Sequence, residues 1–195
     1  MNNGRIIFCV LVSLEILLAL ADGAFTYIGT PDLSMEANPL VAYFGLGWGA
    51  LFIANVIGIS FQIVCAYYAF VGYKSPLLPY KGFKEFFSML YYKRPDKFKW
   101  SFYKFPKNWK PVLAMSGYAL AIAPLIARAV VVFQWVLVLT DAPMLVAYNS
   151  FRSLFPFTRF DVFLACIVVI ALLIVWQYRE YRINKKRILS VEQTQ

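Results

Sequence analysis

Histidine is absent from the 195-residue chain, and cysteine occurs only three times. Without imidazole there is no haem or chlorophyll ligation by histidine, no His-based zinc or di-iron chemistry, and no catalytic triad with an imidazole base. Charge is scarce too: Asp, Glu, Lys and Arg make up 15% of residues, where a water-soluble domain carries roughly a quarter. What fills the chain instead is apolar. Hydrophobic residues account for 61% and aromatics for 18%, with a mean hydropathy of +0.63, and this composition excludes an ordinary soluble domain. Cys9, Cys65 and Cys166 all lie in apolar runs with no C-x-x-C spacing, so they read as small buried hydrophobes rather than a disulfide or redox framework.

A membrane helix needs about 20 mostly apolar residues. Four stretches meet this requirement, at residues 6–28, 39–71, 112–139 and 160–178. The chain is therefore expected to be a single all-α polytopic membrane domain, a four-helix bundle with a basic, aromatic connector at 72–110 and a basic tail at 179–195. The second stretch exceeds what a bilayer requires, which predicts tilt or projection past the surface. A cleaved signal peptide is the rival reading of the first stretch, because Arg5 precedes an apolar run that ends in Ala19-Leu20-Ala21. Glu15 interrupts that run, and a retained span is expected.

Orientation follows the distribution of lysine and arginine. The 72–110 connector carries ten basic residues against Glu85 and Asp96, and the tail adds Arg179, Arg182, Lys185, Lys186 and Arg187. The 29–38 loop has only Asp32 and Glu36. Both termini and the connector are thus expected in the cytoplasm, and the formal charge of +9 is a topology signal rather than a sign of nucleic-acid binding. Within the connector, Phe83, Phe86, Phe87 and Leu90 follow the i, i+3, i+4, i+7 spacing of an amphipathic helix. Lys97, Phe98, Lys99, Trp100 then alternate charge and ring. Lys81, Phe83, Lys84, Phe86, Phe87, Lys97, Lys99 and Trp100 form the expected contact with anionic lipid headgroups; the acidic surface of a protein partner is the alternative.

Ionisable residues inside spans are costly and count as functional candidates. Glu15, Asp22 and Thr26 project from one face of the first helix, at spacings of seven and four. Arg128 is the embedded cation of the third. Asp22 and Arg128 each lie 16 residues beyond the inner edge of their spans, roughly 24 Å at helical rise, so they are the expected ion pair. Glu15 sits deeper, with no cation at its level; Gln62 or Asn55 is expected to hydrogen-bond it, or it stays protonated. Three roles fit these residues: registering helices, lining a polar passage or cation site, or relaying a proton through Glu15. Pro124 is expected to free the carbonyl of Leu120 and kink the third helix. Small residues four apart (Gly45 and Gly49; Ala50, Ala54 and Gly58; Ala119, Ala123 and Ala127) predict close helix approach.

Asp22-x3-Thr26 followed by Glu36-Ala37-Asn38-Pro39 and a Gly-rich apolar helix resembles a family of small prokaryotic polytopic membrane proteins defined by a domain of unknown function, with a D-x3-T and E-x-N-P signature. The resemblance covers approximately residues 14–70. It implies a membrane hairpin, in the cytoplasmic membrane of a prokaryote, rather than a reaction. That family often carries a basic residue in the second span, where this chain has Asn55. Read on their own, Asn38 is a good N-cap, Pro39 suits the first helical position, and Glu36 favours the helix dipole. The sharper alternative takes Asp22, Thr26, Glu36 and Asn38 as oxygen ligands of a hard cation.

No nucleophile with an adjacent base is visible, and no cofactor is expected. The leading expectation is a non-catalytic structural or accessory subunit of a membrane assembly. A small transporter or cation-binding protein comes second, and a lipid-acting enzyme third.

Overall fold

The computed structural model describes residues 3–34, 39–80, 82–96, 104–141, 143–153 and 160–193. Among them every regular element is helical: α1 (Asn3–Gly29), α2 (Pro39–Ala42), α3 (Trp48–Tyr67) with a π-helical extension (Tyr68–Gly72), α4 (Phe83–Tyr92), α5 (Trp109–Leu139), α6 (Met144–Ser153) and α7 (Phe160–Glu192). Four segments are long and apolar enough to cross a membrane: Asn3–Gly29, Trp48–Gly72, Trp109–Leu139 and Leu164–Val191. Leu17, Leu20, Phe52, Ile57 and Ile174 are each more than half exposed, the arrangement expected when hydrocarbon is the solvent and the helices satisfy their own backbone groups. The protein is an all-α integral membrane protein.

Contacts fix the directions of the helices. Phe8 stacks edge-on against Tyr67, and Tyr27 against Trp48, so α3 runs antiparallel to α1. Gln62 meets Ala121 while Asn55 meets Arg128, so α5 runs antiparallel to α3 and parallel to α1. α5 is central, packing against α1, α3 and α7, and α1 also packs against α3. α7 lies on α5 and α4. Gly117 permits the closest approach of α3 to α5, since a Cβ there would stand 2.9 Å from the Cys65 carbonyl oxygen. Of the small-residue ridges, Ala119 and Ala123 are buried, whereas Gly49 and Gly58 have no neighbour within 4 Å of an added Cβ.

Two boundaries differ from the sequence reading. The expected rod over 39–71 is broken: α2 is a single turn closed by Gly45 N–H to Val41 O (2.9 Å), and the chain re-enters as α3 after Gly47. Gly45 has φ +63°, a left-handed conformation that ends a helix readily at glycine and at little else. The fourth helix, expected to end at 178, continues through the basic tail to Glu192. It is held there by protein contacts on its inner face: Asn184 accepts from Leu78 N–H (3.2 Å) and donates to Leu78 O (2.9 Å), and Tyr80 donates to Tyr181 O (3.3 Å).

These contacts create a second core at the end of the molecule that holds Asn3 and the C-terminal half of α7. Phe86, Leu90, Tyr91, Tyr92, Ala114 and Trp176 are buried together there. Phe86, assigned to lipid by its helical spacing, is 1% exposed and packs against Tyr80 and Tyr181. The apolar face of α4 is turned onto α5 and α7, because a protein wall of rings was available to bury it. Asn108 does not cap α5 with its side chain; it donates to Leu90 O (3.1 Å) and ties the chain back to α4.

Candidate functional site

Arg128 organises the polar centre of the helices. Its Nε lies 3.1 Å from Glu15 Oε1, its Nη1 3.4 Å from Asp22 Oδ2, and its Nη2 donates to Asn55 Oδ1 at 3.1 Å. Gln62 donates through Nε2 to Glu15 Oε2 (3.2 Å) and to Ala121 O (3.0 Å). Residues of α1, α3 and α5 are thereby joined in one network. Glu15 is 2% exposed, while the Arg128 and Asp22 side chains retain 17% and 25%.

Asp22 and Arg128 meet as depth counting expects, but Glu15 does not lack a cation; it has the shorter contact of the two. Side chains lean toward the N-terminus of their own helix, and α1 and α5 are parallel. The long Arg128 side chain therefore reaches back along the helices toward the level of Glu15. Its planar fork can address two carboxylates and a carboxamide at once, as a lysine ammonium on one stem cannot. Pro124 lies within α5 and leaves the Leu120 carbonyl without its helical donor, while Gln62 takes the neighbouring carbonyl of Ala121. Leu120 is exposed and Ala121 buried toward α3, so the carbonyl on the inner face is the one within reach.

The remaining candidates are placed as follows. Thr26 is buried, and its carbonyl accepts from Thr30 N–H at 2.8 Å. Glu36 and Asn38 lie outside the described residues, as do Lys81, Lys97, Lys99 and Trp100; the oxygen set Asp22, Thr26, Glu36, Asn38 is thus described only in its first two members. Among the described residues no group of three or more His, Cys, Asp or Glu side chains is arranged to hold a metal. Phe83 stacks on Tyr181, Phe87 on Tyr91, and Lys84 is exposed. At the far end, Asp32 accepts from Ser34 N–H (3.1 Å), Ser34 Oγ (2.8 Å) and Thr30 Oγ1 (3.0 Å). The Ser34 bonds, backbone first, and then that from Thr30 hold its carboxyl below the usual carboxylate range.

A second polar cluster, unsuspected from the sequence, lies in the aromatic core. Glu180 is 3% exposed and Trp176 fully buried. Glu180 Oε2, Trp176 Nε1, Tyr73 Oη and Ser75 Oγ make no hydrogen bond among the described residues. The rings of Tyr73 and Trp176 lie 5.8 Å apart. Burial, and then the negative charge of Glu180, raises the phenols of Tyr73 and Tyr91 far above the usual tyrosine value. The available signal was the i, i+4, i+8 spacing of Trp176, Glu180 and Asn184, which marks one helix face.

The chain matches no known family profile, no curated protein and no solved structure.

Proposed function

We propose that this protein is a non-catalytic integral membrane protein, a structural or accessory subunit of a larger membrane assembly. The observation that carries the proposal is the hub at Arg128, where Glu15 and Asp22 of α1 meet the guanidinium of α5 and Asn55 of α3 joins them. Such a network specifies helix register more than it adds net stability. In this reading both termini and the basic connector face the cytoplasm, in the cytoplasmic membrane of a prokaryote as the D-x3-T resemblance implies. Lys93, Arg94, Lys107, Lys110, Arg182 and Lys186 are exposed at that end, where anionic headgroups attract cations.

The test is gentle solubilisation of tagged protein from native membranes, followed by native mass measurement. A reproducible complex with another integral protein is the expected result. Recovery of the chain alone, in several detergents and after crosslinking in the membrane, overturns the proposal.

A further inference from the structure

The arginines of this chain are held in two ways. Arg128 and Arg187 donate to protein oxygens, Arg187 through Nη1 to Ser75 O at 2.7 Å. Arg179 and Arg182, three residues apart on α7, lie against rings instead. The Arg179 guanidinium carbon is 5.7 Å from the centre of the Phe70 ring and 5.8 Å from that of Tyr118, and the Arg182 carbon is 5.9 Å from that of Tyr178. Neither guanidinium makes an ion pair or hydrogen bond among the described residues. Glu180, next in the chain to Arg179, is withdrawn into the aromatic core. A ring attracts a guanidinium without occupying its N–H donors, so two planar forks are steadied with those donors unused. Gly4 adds a third cation. A Cβ there would collide with the Phe70 carbonyl oxygen, and the backbone of Arg5 is thus held beside the residue whose ring carries Arg179.

We propose that Arg179 and Arg182, joined by Arg5, bind the phosphate of an anionic phospholipid at the inner edge of the membrane. Phe70 lies two residues before the end of the Trp48–Gly72 span, and Arg179 one residue past the apolar run that closes at 178, which is headgroup depth. One turn from the arginines toward the bilayer, Val175 and Tyr178 are more than half exposed, and Ile174 and Ile170 continue that apolar stripe. Cations above an exposed apolar stripe match an anionic head above its acyl chains. A soluble phosphate would use the cations alone. The arginine fork meets two phosphate oxygens at once, and a head with net negative charge is selected because choline brings its own cation beside the phosphate. Phe86, expected among the headgroups, is folded into the core, so the lipid contact moves to a different set of residues. The inference goes beyond the subunit role and is tested on the isolated chain, so it holds or fails independently of what co-purifies.

The experiment uses the full chain, purified in mild detergent and washed free of lipid. It is titrated with phosphatidylglycerol, with phosphatidylcholine, or with the soluble headgroup glycerophosphoglycerol, and adducts are counted by native mass measurement. Phosphatidylglycerol is expected to bind at a concentration about tenfold lower than phosphatidylcholine, and the soluble headgroup at equal concentration should not displace it. Arg179→Gln with Arg182→Gln removes the preference, whereas Lys93→Gln with Arg94→Gln takes the same charge from the connector and leaves it unchanged. Arg179→Lys with Arg182→Lys keeps the charge without the fork, weakens phosphatidylglycerol binding several-fold, and decides the matter if size exclusion shows that the glutamine pair does not fold. Equal binding of the two lipids overturns the proposal, as does full binding by the lysine pair. A loss in the connector variant as large as in the α7 variant would assign the effect to diffuse charge, and displacement by the soluble headgroup or by an acidic peptide would assign the arginines to a soluble anion or to a protein; either result overturns it too.

Discussion

Glu15 and Glu180 are both almost withdrawn from solvent, at 2% and 3% exposure, yet they are surrounded in different ways. Glu15, midway along α1, is met by a guanidinium from α5 and a carboxamide from α3. Glu180, on the extension of α7, lies among a phenol, a hydroxyl and an indole, and its Oε2 makes no hydrogen bond to them. The first site spends direct polar contacts, because inside a span no water stands by to solvate what is left over. The second is built on volume, from Phe86, Leu90, Tyr91 and Trp176, with the polar atoms fitted between rings. One region holds helices in register by charge and the other by packing, so the two should fail differently.

The largest expected effect separates them by rescue. Arg128→Ala strips the cation from both carboxylates, and breaking a buried pair from one side costs about 3–5 kcal/mol. Because Glu15 holds the shorter contact, Asp22→Asn alone should restore little, whereas adding Glu15→Gln to it should recover most of the folded yield in detergent. Full recovery by Asp22→Asn alone would place the weight of the network on Asp22 and contradict the geometry.

Trp176→Ala is the matching lesion in the aromatic core, with a cost of about 3–5 kcal/mol from lost burial and the cavity left behind. No change of charge should repair it. Trp176→Phe should keep most of the stability, since the indole N–H makes no hydrogen bond among the described residues, while Glu180→Gln placed on Trp176→Ala should restore nothing. Thermal unfolding in detergent distinguishes these outcomes, and rescue by Glu180→Gln would show that charge, not volume, governs this end as well.

The difference between the regions also explains what was legible in the sequence. Runs of apolar residues reveal spans because lipid imposes helix on anything that crosses it, and counting helical rise brings Asp22 opposite Arg128. Counting treats side chains as points, however, and so misses the reach of Arg128 back to Glu15. The break at Gly45 depends on one left-handed residue in a run that is apolar on both sides, a local event that composition averages away. The aromatic core is harder still. Phe86 at amphipathic spacing looks the same whether its face meets lipid or protein, and Glu180 reads as part of a solvated basic tail until Leu78 and Tyr80 are seen to lie against that helix. Burial at a protein wall is a tertiary property, and periodicity specifies only that a face is apolar.

The smallest effect is confined to alkaline pH and to the packed region. Tyr73 and Tyr91 have raised phenol values, through burial first and the nearby Glu180 charge second; Tyr91 donates to the Met115 sulfur, at 3.3 Å. For an acid kept neutral by the fold, the folded state binds more protons than the unfolded one above the ordinary value of 10. The associated stability is therefore present in full below that value, and is lost as pH rises through the raised folded value. In a spectrophotometric titration of the folded protein, Tyr73→Phe and Tyr91→Phe should leave the tyrosinate signal near pH 10 unchanged and remove amplitude only from the late, unfolding-coupled phase. Loss of amplitude from the early phase would mean that water already reaches these phenols, and the packed core would then resemble the charged network more than its geometry indicates. The variant network lacking Glu15 and Asp22 charges should leave this late phase in place, since neither acid touches either phenol.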